Sequence, residues 1–313
     1  MKTRISAVFL AATVFVALGS QLCAQTHKVA VEVKVFEPGG QPVNNATVIM
    51  GLPRYAQGAD ELVTAFTDSS GIAKLEGEVP FDFGVSAKKN GYYDSTAPKV
   101  SLVSETDIER VTKAVQRVEI ELKPIKKPVA MLYGGTRTNS ITLPSKGDPV
   151  GYDLLVGDWV APWGKGRVTD LLFQVSGKYE SRTLYNRTLT VQFPAPASGM
   201  MALEYPAGSG SEFKFPYEAP VEGYIASHTW HRTVAPDKQD IEHGDSRRYL
   251  IRFRTEFNED GTIKKALYGL IWDDLEFFPG PESTGVKFNY AVNPAGERNI
   301  EFDKKTSRRV PGK

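Results

Sequence analysis

Cysteine occurs once in the 313-residue chain, at Cys23. A framework of internal disulfides is excluded, because a bridge needs a pair. An excess of one charge is missing as well: Lys plus Arg number 38 and Asp plus Glu 37. No net field therefore draws the chain to nucleic acid or to an anionic bilayer. After the first 18 residues no apolar run approaches the roughly 20 residues that a membrane-spanning helix needs. Gly-x-Ser-x-Gly, a phosphate-binding loop and His-Glu-x-x-His are all missing, which removes the hydrolase, nucleotide and metalloprotease classes those motifs mark. What remains, 41% hydrophobic and 24% charged residues, is an ordinary globular balance and too apolar for a wholly disordered polypeptide.

The first segment is an address. Lys2 and Arg4 precede the apolar run 5–18, then Gly19-Ser20 and a short exit ending at Ala24, the layout of a secretory signal over residues 1–24 with cleavage after Ala24. A lipid anchor on Cys23 is the weaker expectation, since Leu22 stands where a lipoprotein signal wants a small residue. Losing Lys2 and Arg4 from the 38 basic residues leaves 36 against 37 acidic ones. The mature chain is expected to be a soluble secreted or periplasmic protein that folds without disulfides.

Residues 25–125 alternate with period two. Val29, Val31, Val33 and Val35 lie on one side of a segment whose other side carries Glu32 and Lys34, a half-buried strand. Further strands are predicted at 46–52, 63–67, 72–75, 83–88, 99–103 and 117–122, with one short helix at 107–115. Seven strands at this spacing predict a small antiparallel sandwich with Greek-key connections. Gly40-x-Pro42-Val43-x-x-Ala46-x-Val48, Thr67-Asp68-x-x-Gly71-x-Ala73-x-Leu75 and Lys89-x-Gly91-Tyr92 resemble the carboxypeptidase regulatory-like domain. The resemblance covers about 100 residues and implies a seven-stranded Ig-like or prealbumin-like β-sandwich with an accessory role and no catalytic residues. Asp68 reads as a turn former bonding nearby amides in preference to a metal ligand.

Pro124-Ile125-Lys126-Lys127-Pro128 reads as a stiff, solvated linker with a boundary near residue 126. Residues 126–303 carry further strand-like runs, at 131–133, 152–156, 170–175, 189–193, 213–215, 248–257, 262–278, 286–292 and 299–302. They predict a larger antiparallel, jelly-roll-like β-sandwich, so the whole chain is all-β. Residues 304–313 read as a frayed basic tail. Asn258-Glu259-Asp260-Gly261 predicts a two-residue hairpin turn, centred on Glu259-Asp260 or on Asp260-Gly261 with the same facing sets either way. That register puts Tyr249, Ile251, Phe253 and Phe257 with Ala266, Tyr268, Leu270 and Trp272 on the core face. Arg252, Arg254 and Glu256 then lie with Lys265 and Asp273 on a solvated one.

For function, Gly157-Asp158-Trp159-Val160-Ala161-Pro162-Trp163-Gly164-Lys165-Gly166 is the most unusual stretch. Indole faces stack on the C–H faces of a sugar while polar groups bond its hydroxyls, so Trp159 and Trp163 form a candidate glycan platform oriented by Asp158 and Lys165. The plainer reading makes one or both indoles plugs of the sandwich end. His228, His231, Asp240, Glu242, His243 and Asp245 collect metal-ligating side chains, but on a strand an odd separation sends His228 and His231 to opposite faces, and no metal or other cofactor is assigned. Asp274 and Glu276 raise the question of a glycosidase carboxylate pair; charged positions interrupting a strand are the simpler account. The expectation is a noncatalytic, exported binding or accessory protein for a carbohydrate or cell-envelope component, with no catalytic residues assigned. An extracellular polysaccharide hydrolase and a structural envelope module are the alternatives.

Overall fold

The computed structural model describes residues 26–53, 61–136, 139–205, 209–242 and 247–312. The predicted export signal with Cys23, and His243 and Asp245, lie outside the described residues.

The chain is all-β. In its N-terminal part Val29, Val31, Val33 and Val35 are buried in alternation on the strand His27–Phe36. That strand pairs antiparallel with Ile72–Val79 and parallel with Gln116–Glu121, giving a three-stranded sheet. The facing sheet runs Glu61–Phe66, Thr47–Leu52, Asp82–Lys88 and Ser95–Thr96. Met50, Leu75, Phe83 and Ile120 fill the space between them. Asp68 shapes its turn as its type predicts: Oδ1 accepts the N–H groups of Ser70 and Ile72 at 2.9 and 3.0 Å. The helix Glu105–Lys113 starts at Ser104, whose hydroxyl accepts the Asp107 N–H, and buries Val111.

The larger sandwich stacks two six-stranded sheets. One runs Asp158–Trp159, Val150–Asp153, Leu171–Ser181, Leu184–Gln192, Ser227–Ala235 and Lys238–Ile241. The other runs Gly199–Glu204, Arg247–Phe257, Ile263–Ile271, Asn289–Asn293, Leu132–Gly135 and Arg308–Arg309. Their shared core holds Tyr152, Trp159, Phe173, Trp230, Tyr249, Phe253 and Phe288. A second core lies on the outer side of the latter sheet, where Phe213, Phe215 and Ile300 cover Leu250, Tyr268 and Leu270. Residues 213–215, predicted as a strand, instead form part of this cover.

This double burial overturns the predicted hairpin faces. The loop holds three residues, Glu259, Asp260 and Gly261, between Asn258 and Thr262, whose N–H and C=O meet at 2.9 Å, with Gly261 at φ 82°. An odd loop length moves the pairing by one residue over most of the hairpin and so exchanges the facing sets, while register shifts on either side keep Glu256 opposite Lys265. Tyr249, Ile251 and Phe253 therefore stand opposite Ile271, Gly269 and Leu267, while Leu250 and Arg252 stand opposite Leu270 and Tyr268. Nor is the arginine face solvated. Arg252 donates to the carbonyls of Ala197 and Val221 and lies 4.5 Å over the Tyr224 ring; Arg254 sits in a bulge at φ 52° beside two buried carboxylates. The predicted strand 262–278 also breaks, its last part Glu276–Pro279 joining a separate sheet with Thr284–Lys287 and Ile141–Leu143.

Two segments expected to be solvated are held. Glu301, 1% exposed, accepts the N–H groups of Lys126 and Lys127 at 2.8 and 2.6 Å and the Tyr93 hydroxyl at 3.0 Å. Lys126 Nζ rests 4.2 Å over the Tyr217 ring, and Gly210–Ser211 extends the N-terminal sheet beside Ser95–Thr96. The basic tail is an edge strand: Arg308 and Arg309 pair parallel with Leu132 and Tyr133, and Val310 is buried.

Candidate functional site

The segment 153–170 is built around two carboxylates. Asp153 accepts the N–H groups of Leu155, Val156, Arg167 and Val168 at 3.0 to 3.1 Å. Asp170 accepts the Leu154 N–H at 2.9 Å. Arg254 bridges them, with 2.8 and 2.9 Å bonds to Asp170 and one of 2.8 Å to Asp153. Burial pushes the Asp153 carboxyl up, yet its backbone bonds and Arg254 outweigh that and hold it below the ordinary value; at Asp170 burial dominates, and the carboxyl is raised despite Arg254.

Within this frame the four predicted ligand residues separate. Trp159 is 7% exposed, its ring edge-on to Tyr152 and Phe173 at 5.2 and 5.5 Å. Trp163 is 52% exposed. Asp158 is a staple of the loop, its carboxylate accepting the N–H groups of Trp159 and Lys165 at 2.9 Å each. Lys165 itself is exposed. The structure thus displays one indole to solvent on a braced loop and does not form a platform of two.

Next to this loop is a groove of about 350 Å³ lined by Tyr133, Gly134, Gly135, Trp272, Asp273, Asn289 and Arg309. Trp272 is held edge-on to Phe302 at 5.3 Å, and Tyr133 edge-on to the same ring at 6.3 Å. Arg309 stands opposite Tyr133 on the neighbouring strand. Gly135, at φ 106°, has no room for a side chain, since a Cβ there would come within 2.2 Å of the Phe288 carbonyl. Gly135 and Arg309 also border a water-sized crevice against Gly157, Asp158 and Trp159, so loop and groove are continuous. Two aromatic side chains beside an acid, an amide and a guanidinium can present ring faces and hydrogen bonds to one polar ligand. Sequence reading did not join this set: it put Trp272 against a core and Asp273 on a solvated face, where they stand, but left Arg309 in a frayed tail. Its members come from four separate strands or strand ends, and no local motif joins them.

The other candidate groups are committed to structure. Asp274 is buried and accepts Trp230 Nε1–H at 3.0 Å, the Tyr249 hydroxyl at 2.5 Å and the Leu275 N–H at 2.9 Å, with Arg247 at 3.6 Å. Glu276 pairs instead with Lys287 at 2.6 Å. The carboxylates expected to interrupt a strand or its edge are thus one buried hub and one ion pair. His228 bonds the Met200 carbonyl at 3.1 Å, and burial lowers its pKa; His231 bonds Thr188 at 3.0 Å. Among the described residues no three His, Cys, Asp or Glu side chains gather as metal ligands, and no helix is long and apolar enough to cross a membrane.

No family model matches the chain, so of the carboxypeptidase regulatory-like resemblance only the two facing β-sheets stand. No curated protein matches it either. Among solved structures the chain is similar to a mutant form of the shaft pilin spaA from Lactobacillus rhamnosus GG, at 10% identity and TM-score 0.24 over 90% of this chain and 96% of that one. It is also similar to BcpA, the major pilin subunit of Bacillus cereus, at 11% identity and TM-score 0.23 over 90% and 98%. At these scores neither pilin informs the function of this chain.

Proposed function

We propose that the chain is an exported, noncatalytic binding protein whose ligand is a carbohydrate or another polar component of the cell envelope. The observation that carries this reading is the groove, in which Trp272 and Tyr133 stand beside Asp273, Asn289 and Arg309. Rings supply stacking area and the polar groups orientation, the division of labour that sugar recognition uses. The exposed Trp163, on the adjoining braced loop, extends the candidate surface. Support also comes from the commitment of Asp274 and Glu276 to structural bonds, which leaves neither placed as a free acid for glycoside hydrolysis. The test is binding of the full chain to a panel of neutral and acidic envelope polysaccharides, with Trp272→Ala and Trp163→Ala compared. Loss of about tenfold or more in affinity for Trp272→Ala is expected, in line with an aromatic anchor. Turnover of any glycan, or binding unchanged in both variants, refutes the reading.

A second reading, an assembly module, is favoured by Glu61–Phe66. This strand ends its sheet, and Leu62 and Phe66 are 63% and 64% exposed. An apolar edge of that kind pairs with further strands. Light scattering that shows a monomer at high concentration, together with no crosslinked envelope partner, counts against it.

A further inference from the structure

The groove beside Trp272 holds two charged side chains, Asp273 and Arg309. Neither is committed: among the described residues no base pairs with Asp273 and no acid with Arg309, nor do they pair with each other. The half-buried guanidiniums of Arg247 and Arg254, by contrast, each hold carboxylates. Asp273 is exposed and Arg309 half-buried, so a ligand reaches both from solvent. Sheet order sets them around the rings. The Trp272 N–H bonds the Asn289 carbonyl, and Asn289 stands opposite Gly135; in the next row Tyr133 stands between Ala291 and Arg309. Residues of one row share a face, and Trp272, Tyr133 and Ala291 all pack with the outer cluster. Gly135 adds no side chain to the floor between them. Trp272 and Arg309 stand on strands three spacings apart, about 14 Å, so one sugar ring between their side chains meets both.

We infer that the groove takes an acidic sugar, a hexuronate residue whose carboxylate pairs with the Arg309 guanidinium while its ring lies against Trp272 and Tyr133 and its hydroxyls donate to Asp273. This names the ligand class of the binding site proposed above and rests on that reading. A guanidinium fork matches a planar carboxylate through two parallel bonds, and a neutral sugar leaves that fork without its charged acceptor. The charge count favours a carboxylate over a phosphate. Asp273 and Arg309 bring one charge of each sign, so a single negative charge is met at the arginine, whereas a phosphomonoester carries close to two and leaves part of them unmet beside Asp273.

The test is calorimetric titration of the full chain with trimers of glucuronate, galacturonate and mannuronate, each beside its methyl ester, which keeps the ring and removes the charge. At least one acid trimer is expected to bind about tenfold or more tighter than its own ester, with an affinity that falls as salt rises. Arg309→Gln brings that acid and its ester to equal affinity; Arg309→Lys keeps the charge without the fork and leaves a smaller preference. The acid-to-ester ratio is read on the parent chain and does not depend on how a variant folds. An ester bound as tightly as its acid, a preference that survives Arg309→Gln, or a sulfated galactose trimer bound tighter than every uronate overturns the inference. Neutral trimers that bind, and are released by Trp272→Ala, with no preference for the acid leave the groove a sugar site and sink the acidic assignment alone. If no saccharide binds, charged or neutral, both fail.

Discussion

Arg254→Met would remove the bridge beneath the 153–170 segment, and its cost follows from what each carboxylate keeps. Asp153 retains four backbone N–H donors, enough to stabilise its charge without the guanidinium. Asp170 loses two of its three bonds and keeps the Leu154 N–H alone. At about 1.5–3 kcal/mol for each bond to a charged group, and about 3–5 kcal/mol for stranding one partner of a buried pair, the loss at pH 7 is about 3–5 kcal/mol. The penalty falls almost wholly on Asp170. Methionine keeps an unbranched stem out to the position of Nε and is, like arginine, not β-branched, so the backbone strain of the bulge is closely matched and the loss is that of the guanidinium.

Denaturant unfolding measures this as a lower midpoint at unchanged slope. Its pH dependence tests the mechanism. Burial already raises the Asp170 carboxyl against the opposing pull of Arg254; without the guanidinium the folded-state value rises further. An acid with a folded pKa above its unfolded one binds a proton first in the folded state. Stability of the variant therefore increases as pH falls from neutral toward the ordinary carboxylate range near 4, and the gap from the parent narrows. Arg254→Met combined with Asp170→Asn recovers much of the loss at pH 7, because no charge is left stranded. A loss below about 1 kcal/mol, the size of an exposed ion pair, or a gap that stays constant with pH refutes the reasoning.

The remaining expectations concern the two indoles, a histidine and the pinned linker. Trp159→Ala costs about 3–5 kcal/mol as a large-to-small core change, whereas Trp163→Ala stays within about 0.5 kcal/mol, both by denaturant unfolding. Burial holds the His228 imidazole below its ordinary value, so the unfolded chain takes up the proton first and this residue's contribution to stability is lost as pH drops below about 6.5 through the lowered folded value; titration of the His228 ring by NMR gives the folded midpoint, and one at or above the ordinary value contradicts the assignment. Glu301→Gln replaces one of two acceptor oxygens with a donor, leaving the Lys126 or Lys127 N–H unmet at a cost of about 1–3 kcal/mol. Faster hydrogen exchange confined to those two amides reports it, and unchanged exchange counts against the latch.

Which features were legible in the sequence depends on the reach of their partners. Val29 to Val35 declared a strand because one face meets a core and the other meets water, so burial and polarity alternate together. Arg247–Phe257 gave no such signal on its own terms: Tyr249 and Leu250 are both buried, on opposite faces, because Phe213 and Phe215 cover the outer side. Two-sided burial erases the contrast on which the period-two reading depends, and the choice of face then rested on a turn length that was wrong by one residue. Carboxylates divide in the same way. Asp68 and Asp260 bond amides within a few positions of themselves, and local spacing suffices to recognise such turns. Asp153 and Asp170 share a guanidinium that lies 101 positions from the first and 84 from the second, and Arg309 reaches the Trp272 groove only because the last strand adds to the edge at Leu132. A spacing rule reports what a residue does to its own turn; a site assembled from strand ends is set by sheet order, which no single strand's pattern encodes.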